Sequence, residues 1–248
     1  MLSLSLRISL TVFLLATMSW TGCAHQDTQR TVRIEAPAPE SGPAILLNGQ
    51  QVDVRWSDGD SFKFKSGPYK GSGVRLMGYN TLESYGPVHR WGRWTATELY
   101  EIARSSKYRA AERVWQCTTD GEKDGYGRVL VDCPGVSEHM VSIGHAHVFG
   151  MDQEGEESLI RLQQQARRKK LGIWKKGTPE SIVTSLHSAS EGRGYNRIVS
   201  GFTGKSTVRN HDETYAVCQE VCEGGDGGSC MVYVPFKIRY RNKPDCLR

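Results

Sequence analysis

The chain has 248 residues, of which 38% are hydrophobic and 24% are charged, and its formal net charge is +5 at pH 7. This length suits one domain of medium size with an appendage and excludes several large domains. The small basic excess favours an anionic partner but does not identify one, since most charged side chains are solvated surface.

The N-terminal segment has the pattern of an export signal. Its first 22 residues carry one charged side chain, Arg7, before an apolar run over residues 8–20. That run is too short to span a bilayer and predicts the core of a signal peptide over residues 1–22. The following Thr-Gly-Cys resembles a bacterial lipoprotein cleavage site, which implies a lipid on Cys23.

Export and anchoring follow from this pattern as expectations. Residues 23–45 are polar and proline-rich, and we expect the lipidated cysteine and a flexible tether there. The protein would then be held at a bacterial membrane, facing the periplasm or the exterior. The alternatives are a plain secreted protein and an uncleaved anchor.

Strand patterns begin after the tether. Residues 51–56 and 61–65 alternate apolar and polar side chains, and the Asp58-Gly59 pair between them predicts a turn. Residues 73–78 predict a third strand. A second hairpin is predicted from residues 113–117 and 128–133.

Helical spacing of apolar residues appears in three segments, which are residues 95–108, 137–144 and 156–170. Strands followed by helices that pack on one side indicate an α+β fold with a five-stranded β-barrel.

Three short stretches combine acids or arginines with strand-forming residues and turn glycines. They are residues 58–61 (Asp-Gly-Asp-Ser), 75–83 (Arg-Leu-Met-Gly-Tyr-Asn-Thr-Leu-Glu) and 124–128 (Asp-Gly-Tyr-Gly-Arg). Carboxylates can hold a hard cation, and a cation and guanidinium groups can stabilise charge that develops on phosphate oxygens. A further acid can position or deprotonate a water molecule. The pattern therefore favours chemistry on a phosphate ester.

In this order the stretches resemble the staphylococcal nuclease (thermonuclease) family, with a likeness from about residue 52 to residue 174. The resemblance places the first metal carboxylate on Asp60, the two catalytic arginines on Arg75 and Arg128, and the catalytic glutamate on Glu83. It implies an OB-type five-stranded barrel with about three helices over residues 46–175.

The resemblance also implies one Ca²⁺ ion and a nuclease activity on DNA or RNA outside the cytoplasm. The ion would be held by Asp60, Asn80 and the backbone carbonyl of Thr81. Asn80 departs from the family pattern, which usually has an aspartate there, and the missing charge is expected to weaken calcium binding. The tyrosines that the family places near the bound nucleotide are absent from residues 149–152, so substrate contacts are expected to differ.

Two other hypotheses stay open. One is a catalytically impaired OB-type module that binds nucleic acid or another polyanion at the cell envelope, having lost calcium through Asn80. Retention of Glu83 and both arginines favours the enzyme. In the other hypothesis, the C-terminal module binds cell-envelope material and the barrel serves only as a scaffold. No protein partner is inferred, and we expect a monomer.

Seven cysteines in an exported chain predict disulfides in preference to a zinc site. Cys117 and Cys133 flank Gly125 at equal distances, so they are expected to face each other across the second hairpin. A C-terminal set allows three pairings and consists of Cys218, Cys222, Cys230 and Cys246. We expect a linker over residues 176–190 and a small disulfide-rich β module over residues 191–248.

Overall fold

The computed structural model describes residues 43–235 and Cys246. The predicted signal peptide, Cys23 and most of the predicted tether lie outside these residues, and the predictions for them stay predictions. Within the described ranges, no helix has the length and apolar character needed to cross a membrane.

The described chain is α+β, as predicted, with three α-helices and many short strands. The helices are α1 (Ala96–Ala110), α2 (Pro134–Ser142) and α3 (Glu157–Arg168). The strands are β1 (Ala44–Leu47), β2 (Gln50–Trp56), β3 (Phe62–Phe64), β4 (Val74–Leu76), β5 (Tyr79–Thr81), β6 (Val88–Arg90), β7 (Trp115–Cys117), β8 (Val129–Val131), β9 (Ala146–Val148), β10 (Ser181–His187), β11 (Tyr195–Ser200), β12 (Ser206–Asn210), β13 (Glu220–Glu223) and β14 (Ser229–Val232).

The strands form five sheets. Their orders are β3-β2-β1-β7, β10-β11-β12, β13-β14-β6, β4-β8 and β5-β9. Strands β1 and β7 are parallel, as are β4 and β8, whereas the other pairs are antiparallel.

The ladders do not close into the predicted five-stranded barrel in the described part of the chain. Strand β3 meets β4 only through the Lys63–Gly73 bridge, and β7 meets β8 only through a bridge between Thr118 and Asp132. Each of these junctions is a single pair of residues and does not continue as a ladder.

Strand β2 shows why the N-terminal sheet forms. Val52, Val54 and Trp56 are buried while Asp53 and Arg55 between them are exposed, which is the period of two that a half-buried strand requires. The three buried side chains join the aromatic rings of β3 in one apolar core. Burying each such side chain contributes roughly 1.5–3 kcal/mol.

Helix α1 begins where the sequence predicts. The Thr95 hydroxyl accepts a hydrogen bond from the backbone N–H of Glu98, and the Glu98 carboxylate accepts one from the backbone N–H of Thr95. This capping box satisfies two donors that the helix leaves open. Leu99 and Ala103 of the same helix are buried against Trp174 and Ile182 in a second apolar cluster.

The structure corrects the predicted linker over residues 176–190, because β10 lies within it. Ile182 and Val183 of this strand are fully buried, and Leu186 is 1% exposed. Apolar side chains on both faces of β10 are covered, so the strand lacks the alternation that identifies a half-buried strand.

Strand pairing and hydrogen bonds connect the C-terminal strands to the preceding part of the described chain. Strand β14 pairs antiparallel with β6, so Met231 lies opposite His89. On α3, Gln163 accepts a hydrogen bond from the backbone N–H of Val148 at 2.7 Å and donates one to the carbonyl of Gly201 at 2.8 Å. One buried side chain therefore connects β9 to the turn between β11 and β12.

The predicted disulfide between Cys117 and Cys133 is confirmed, with the two Cα atoms 4.3 Å apart. The C-terminal cysteines pair as Cys218–Cys246 and Cys222–Cys230, which selects one of the three possible connectivities.

Candidate active site

The turn between β2 and β3 presents a buried carboxylate. The Asp58 carboxylate accepts hydrogen bonds from the backbone N–H of Asp60 at 3.1 Å and from the Ser61 hydroxyl at 2.7 Å, which fixes the turn. Asp60 is 4% exposed. A Cβ atom on Gly59 would lie 2.6 Å from the Thr81 side chain, so the close approach of this turn to β5 requires glycine.

Arg75 connects this turn to β5. One guanidinium nitrogen, Nη1, lies 2.8 Å from Oδ2 of Asp60, and the other, Nη2, donates a hydrogen bond to Oδ1 of Asn80 at 2.6 Å. The backbone N–H of Thr81 donates to the same Asp60 oxygen at 2.9 Å. Four predicted site residues, Asp60, Arg75, Asn80 and Thr81, therefore meet in one hydrogen-bonded group.

Negative charge dominates the turn. Burial, and then the nearby charge of Asp60, raise the pKa of Asp58 well above its usual value. Burial would lower the pKa of the Arg75 guanidinium, but the charges of Asp60 and Asp58 outweigh it and raise that pKa. Arg75 therefore stays charged, and two adjacent carboxylates share its positive charge.

Glu83 follows β5 in a loop that returns to the same turn. Its carboxylate accepts a hydrogen bond from the backbone N–H of Tyr85 at 2.6 Å, and the Tyr85 hydroxyl donates to the carbonyl of Ser57 at 2.7 Å. Glu83 is half-buried. The loop thus holds Glu83 on the side of the molecule that carries the Asp58–Asp60 turn.

Arg128 lies on the same face as Arg75. The parallel pairing of β4 and β8 puts Arg75 opposite Leu130, two residues after Arg128, so both arginines extend from one face of the pair. Asp124 holds the Arg128 side chain, with Oδ2 2.7 Å from Nε and from Nη2. A Cβ on Gly73 would lie 3.6 Å from Cγ of Arg128, which places this side chain alongside the start of β4.

A cleft of about 330 Å³ opens beside Arg75. Its walls include Leu130 and Phe149, and the guanidinium of Arg75 lies 5.6 Å from the centre of the Phe149 ring. Glu154 and Glu156 also line it. The cleft is therefore partly apolar, and Arg75 is the one cationic residue among those that line it.

Residues 73–176 match the family model described as staphylococcal nuclease homologue. The chain carries a staphylococcal nuclease family domain. The match includes Arg75, Asn80, Thr81, Glu83 and Arg128, and begins after the Asp58–Asp60 turn. The match implies an OB-type fold for the segment. No curated protein matches the chain significantly.

The oxygen atoms of the candidate site fit a hard cation. Asp60 supplies a buried carboxylate and Asn80 an amide oxygen, and Asp58 adds a second carboxylate next to the first. Such oxygen ligands suit Ca²⁺, which tolerates varied geometry. Two neighbouring carboxyl groups thus face the single guanidinium of Arg75, and a bound cation would add positive charge beside them.

The sequence prediction did not include two residues of this site. The family resemblance assigns only Asp60 of the Asp-Gly-Asp turn to the metal, although the spacing of two brings the Asp58 carboxyl group beside that of Asp60. Phe149 contacts Arg75 from a loop after β9, and no pattern in the sequence signalled that contact. Two histidines in the same region make structural contacts. Nδ1 of the buried His147 lies 2.9 Å from the carbonyl oxygen of Val148, and Nδ1 of the half-buried His145 lies 3.2 Å from the Ser106 hydroxyl.

Proposed function

We propose that the chain is a calcium-dependent nuclease that hydrolyses phosphodiester bonds of DNA or RNA outside the cytoplasm. One observation carries the proposal: Arg75 spans Asp60 and Asn80 beside the cleft, with Arg128 on the same face of the β4–β8 pair. A buried carboxylate beside two arginines on one face suits a phosphodiester and the charge that builds on its oxygens.

The two arginines have complementary tasks in this proposal. Arg75 binds a non-bridging phosphate oxygen and Arg128 binds a second one, so that both offset the charge added when water attacks phosphorus. The Arg128 guanidinium is partly exposed, at 38% of its side chain, which leaves it accessible to a polymeric substrate. Glu83 positions the attacking water or accepts its proton.

Asp60, Asn80 and the carbonyl of Thr81 would hold the calcium ion, with Asp58 beside them. Bound calcium supplies positive charge that polarises the phosphate. Arg75 then has to share Asp60 with the ion or turn towards the phosphate, because its Nη1 already contacts Asp60. The location follows from the N-terminal pattern: export by the signal peptide and a lipid on Cys23 that holds the enzyme at a membrane.

A second candidate function is binding of nucleic acid or another polyanion without cleavage. It is favoured by one specific contact, because the Asn80 oxygen that would face calcium accepts a hydrogen bond from Arg75. With one carboxylate fewer, the site can be too weak for the ion at the concentrations it meets.

Incubation of residues 24–248 with plasmid DNA and with RNA, with calcium and with a chelator, separates the two functions. The nuclease predicts calcium-dependent fragments from the wild type and at least a ~100-fold slower rate from Glu83→Gln, as expected on losing a general base. Retention of both polymers in a mobility shift, with no fragments at any calcium concentration, would establish the binding module instead.

A further inference from the structure

Strand β11 lies next to the candidate active site although it is outside the residues that match the nuclease family. Tyr195 and Arg197 are two residues apart on this strand, so both side chains are on the same face of the sheet. Each is connected through one aromatic ring to one of the two arginines of the proposed active site.

The first connection runs through Phe149. Its ring centre is 5.6 Å from the Arg75 guanidinium and 6.0 Å from the Arg197 guanidinium, so the same ring contacts both cations. Arg197 donates a hydrogen bond to the Ser206 hydroxyl at 2.9 Å and has no ion-pair partner among the described residues. No carboxylate of the described chain therefore neutralises its charge, and Arg197 lies beside the same ring as Arg75.

The second connection runs through Tyr126, at the tip of the turn that leads to Arg128. The guanidinium of Arg128 lies 5.6 Å from the centre of the Tyr126 ring. The Tyr126 side chain is close to that of Tyr195, since burial first, and then the neighbouring Tyr126, raise the pKa of Tyr195. Tyr126 is 81% exposed, so its ring is open to a ligand.

Main-chain contacts fix β11 in this position. The backbone N–H of Gly150 donates to the carbonyl of Gly204 at 2.9 Å, and that of Gly155 donates to the carbonyl of Thr203 at 2.8 Å. On the sheet itself, the His187 ring stacks on the Tyr195 ring with centres 4.1 Å apart. These contacts hold the part of β11 that carries Tyr195 and Arg197 in place.

Guanidinium groups that follow a phosphate backbone, alternating with aromatic faces for unstacked bases, are the usual means of holding a single nucleic acid strand. We propose that the face of β11 that carries Tyr195 and Arg197 binds a single-stranded segment of the substrate. Arg197 binds a phosphate adjacent to the one held by Arg75, and the rings of Tyr126 and Tyr195 hold a neighbouring base. The position of the cleaved phosphate in this inference rests on the proposed function.

Binding of a labelled 12-nucleotide single strand, measured by fluorescence anisotropy in calcium-free buffer over a series of salt concentrations, tests the inference with DNA and with RNA. We expect Arg197→Ala to weaken binding roughly ten-fold and to lower the slope of log K against log salt by about 0.7, the value for one phosphate contact with a single strand. Arg197→Lys keeps the charge and should keep the slope. A larger effect on DNA than on RNA, or the reverse, identifies the preferred strand.

Arg161→Ala is the matched control, because Arg161 is an exposed arginine of α3 that pairs with Glu157. It should bind as the wild type does, and thermal melting of each variant shows that the fold is intact. Equal affinity and equal salt slope for Arg197→Ala and Arg161→Ala, or no binding by the wild type, would overturn the inference. Plasmid cleavage is measured separately. Cleavage that does not depend on Arg197 would support the nuclease and contradict the strand-binding surface. Strand binding that depends on Arg197, without cleavage, would support the surface and contradict the nuclease.

Discussion

Acid should destabilise the protein through buried histidines, and His89 offers the clearest test. Its side chain lies on β6 with 2% of its surface exposed, and Nδ1 has no hydrogen-bond partner within the described chain. Burial first, and then the nearby His147, lower its pKa from 6.5 to about 3. The folded protein therefore keeps His89 neutral at a pH where the unfolded chain protonates it.

The sign and the size follow from linkage. Below pH 6.5 the unfolded state binds one proton more than the folded state, so stability falls as pH falls and the loss is complete only near pH 3. Between pH 7 and pH 5 this one residue should lower the free energy of unfolding by about 2 kcal/mol. The figure hardly depends on the folded pKa, provided that it is about 4 or lower, since the whole interval lies above it.

Urea unfolding at pH 7 and at pH 5 measures the effect. His89→Leu should lose about 2 kcal/mol less than the wild type between the two pH values, whatever its stability at pH 7. Val88→Ala, a buried neighbour on the same strand at 1% exposure, is the control and should show the wild-type pH dependence. Equal losses in His89→Leu and the wild type would refute the assignment of a neutral buried histidine.

Two further predictions concern the candidate active site, and a third concerns the Cys117–Cys133 disulfide. Arg75→Ala, Arg128→Ala and the double variant should each lower the initial rate of phosphodiester cleavage by roughly 10²-fold or more. Cleavage by the double variant at nearly the wild-type rate would contradict both roles. Asn80→Asp should lower the calcium concentration needed for half-maximal activity, because a carboxylate replaces an amide; a calcium titration without that shift shows that position 80 is not a ligand. Replacing Cys117 and Cys133 by serine should destabilise the fold by ~3 kcal/mol in the chain-entropy model, and unchanged thermal melting would contradict this.

Local patterns in the sequence predicted the local features well. The apolar spacing that predicts α1 lies within one short segment, and the Thr95–Glu98 capping box begins the helix there. Cys117 and Cys133 belong to one hairpin, and the turn between them sets their distance. The family motif likewise lies within a few residues of sequence, and for that reason Arg75 and Asn80 could be predicted to belong to one site.

Features that depend on distant partners escaped prediction. Strand β10 is recognisable only when the surfaces that cover both its faces are known, since Ile182 packs among helix residues and Val183 among those of the C-terminal strands. Arg197 approaches Arg75 only because the turn between β11 and β12 is held against residues 149–155. No local signal in the sequence encodes either arrangement.

The pairing of β6 with β14 has a consequence for how the polypeptide reaches its final form. Strand β6 precedes α1, but Cys230, which pairs with Arg90 of that strand, lies far later in the chain and is bonded to Cys222. An edge of the nuclease-like region therefore stays open until β14 has been synthesised, and open edges promote misassembly. A truncation after residue 176 would keep the matched segment yet leave that edge bare, so we expect the isolated segment to be a poor choice for recombinant production.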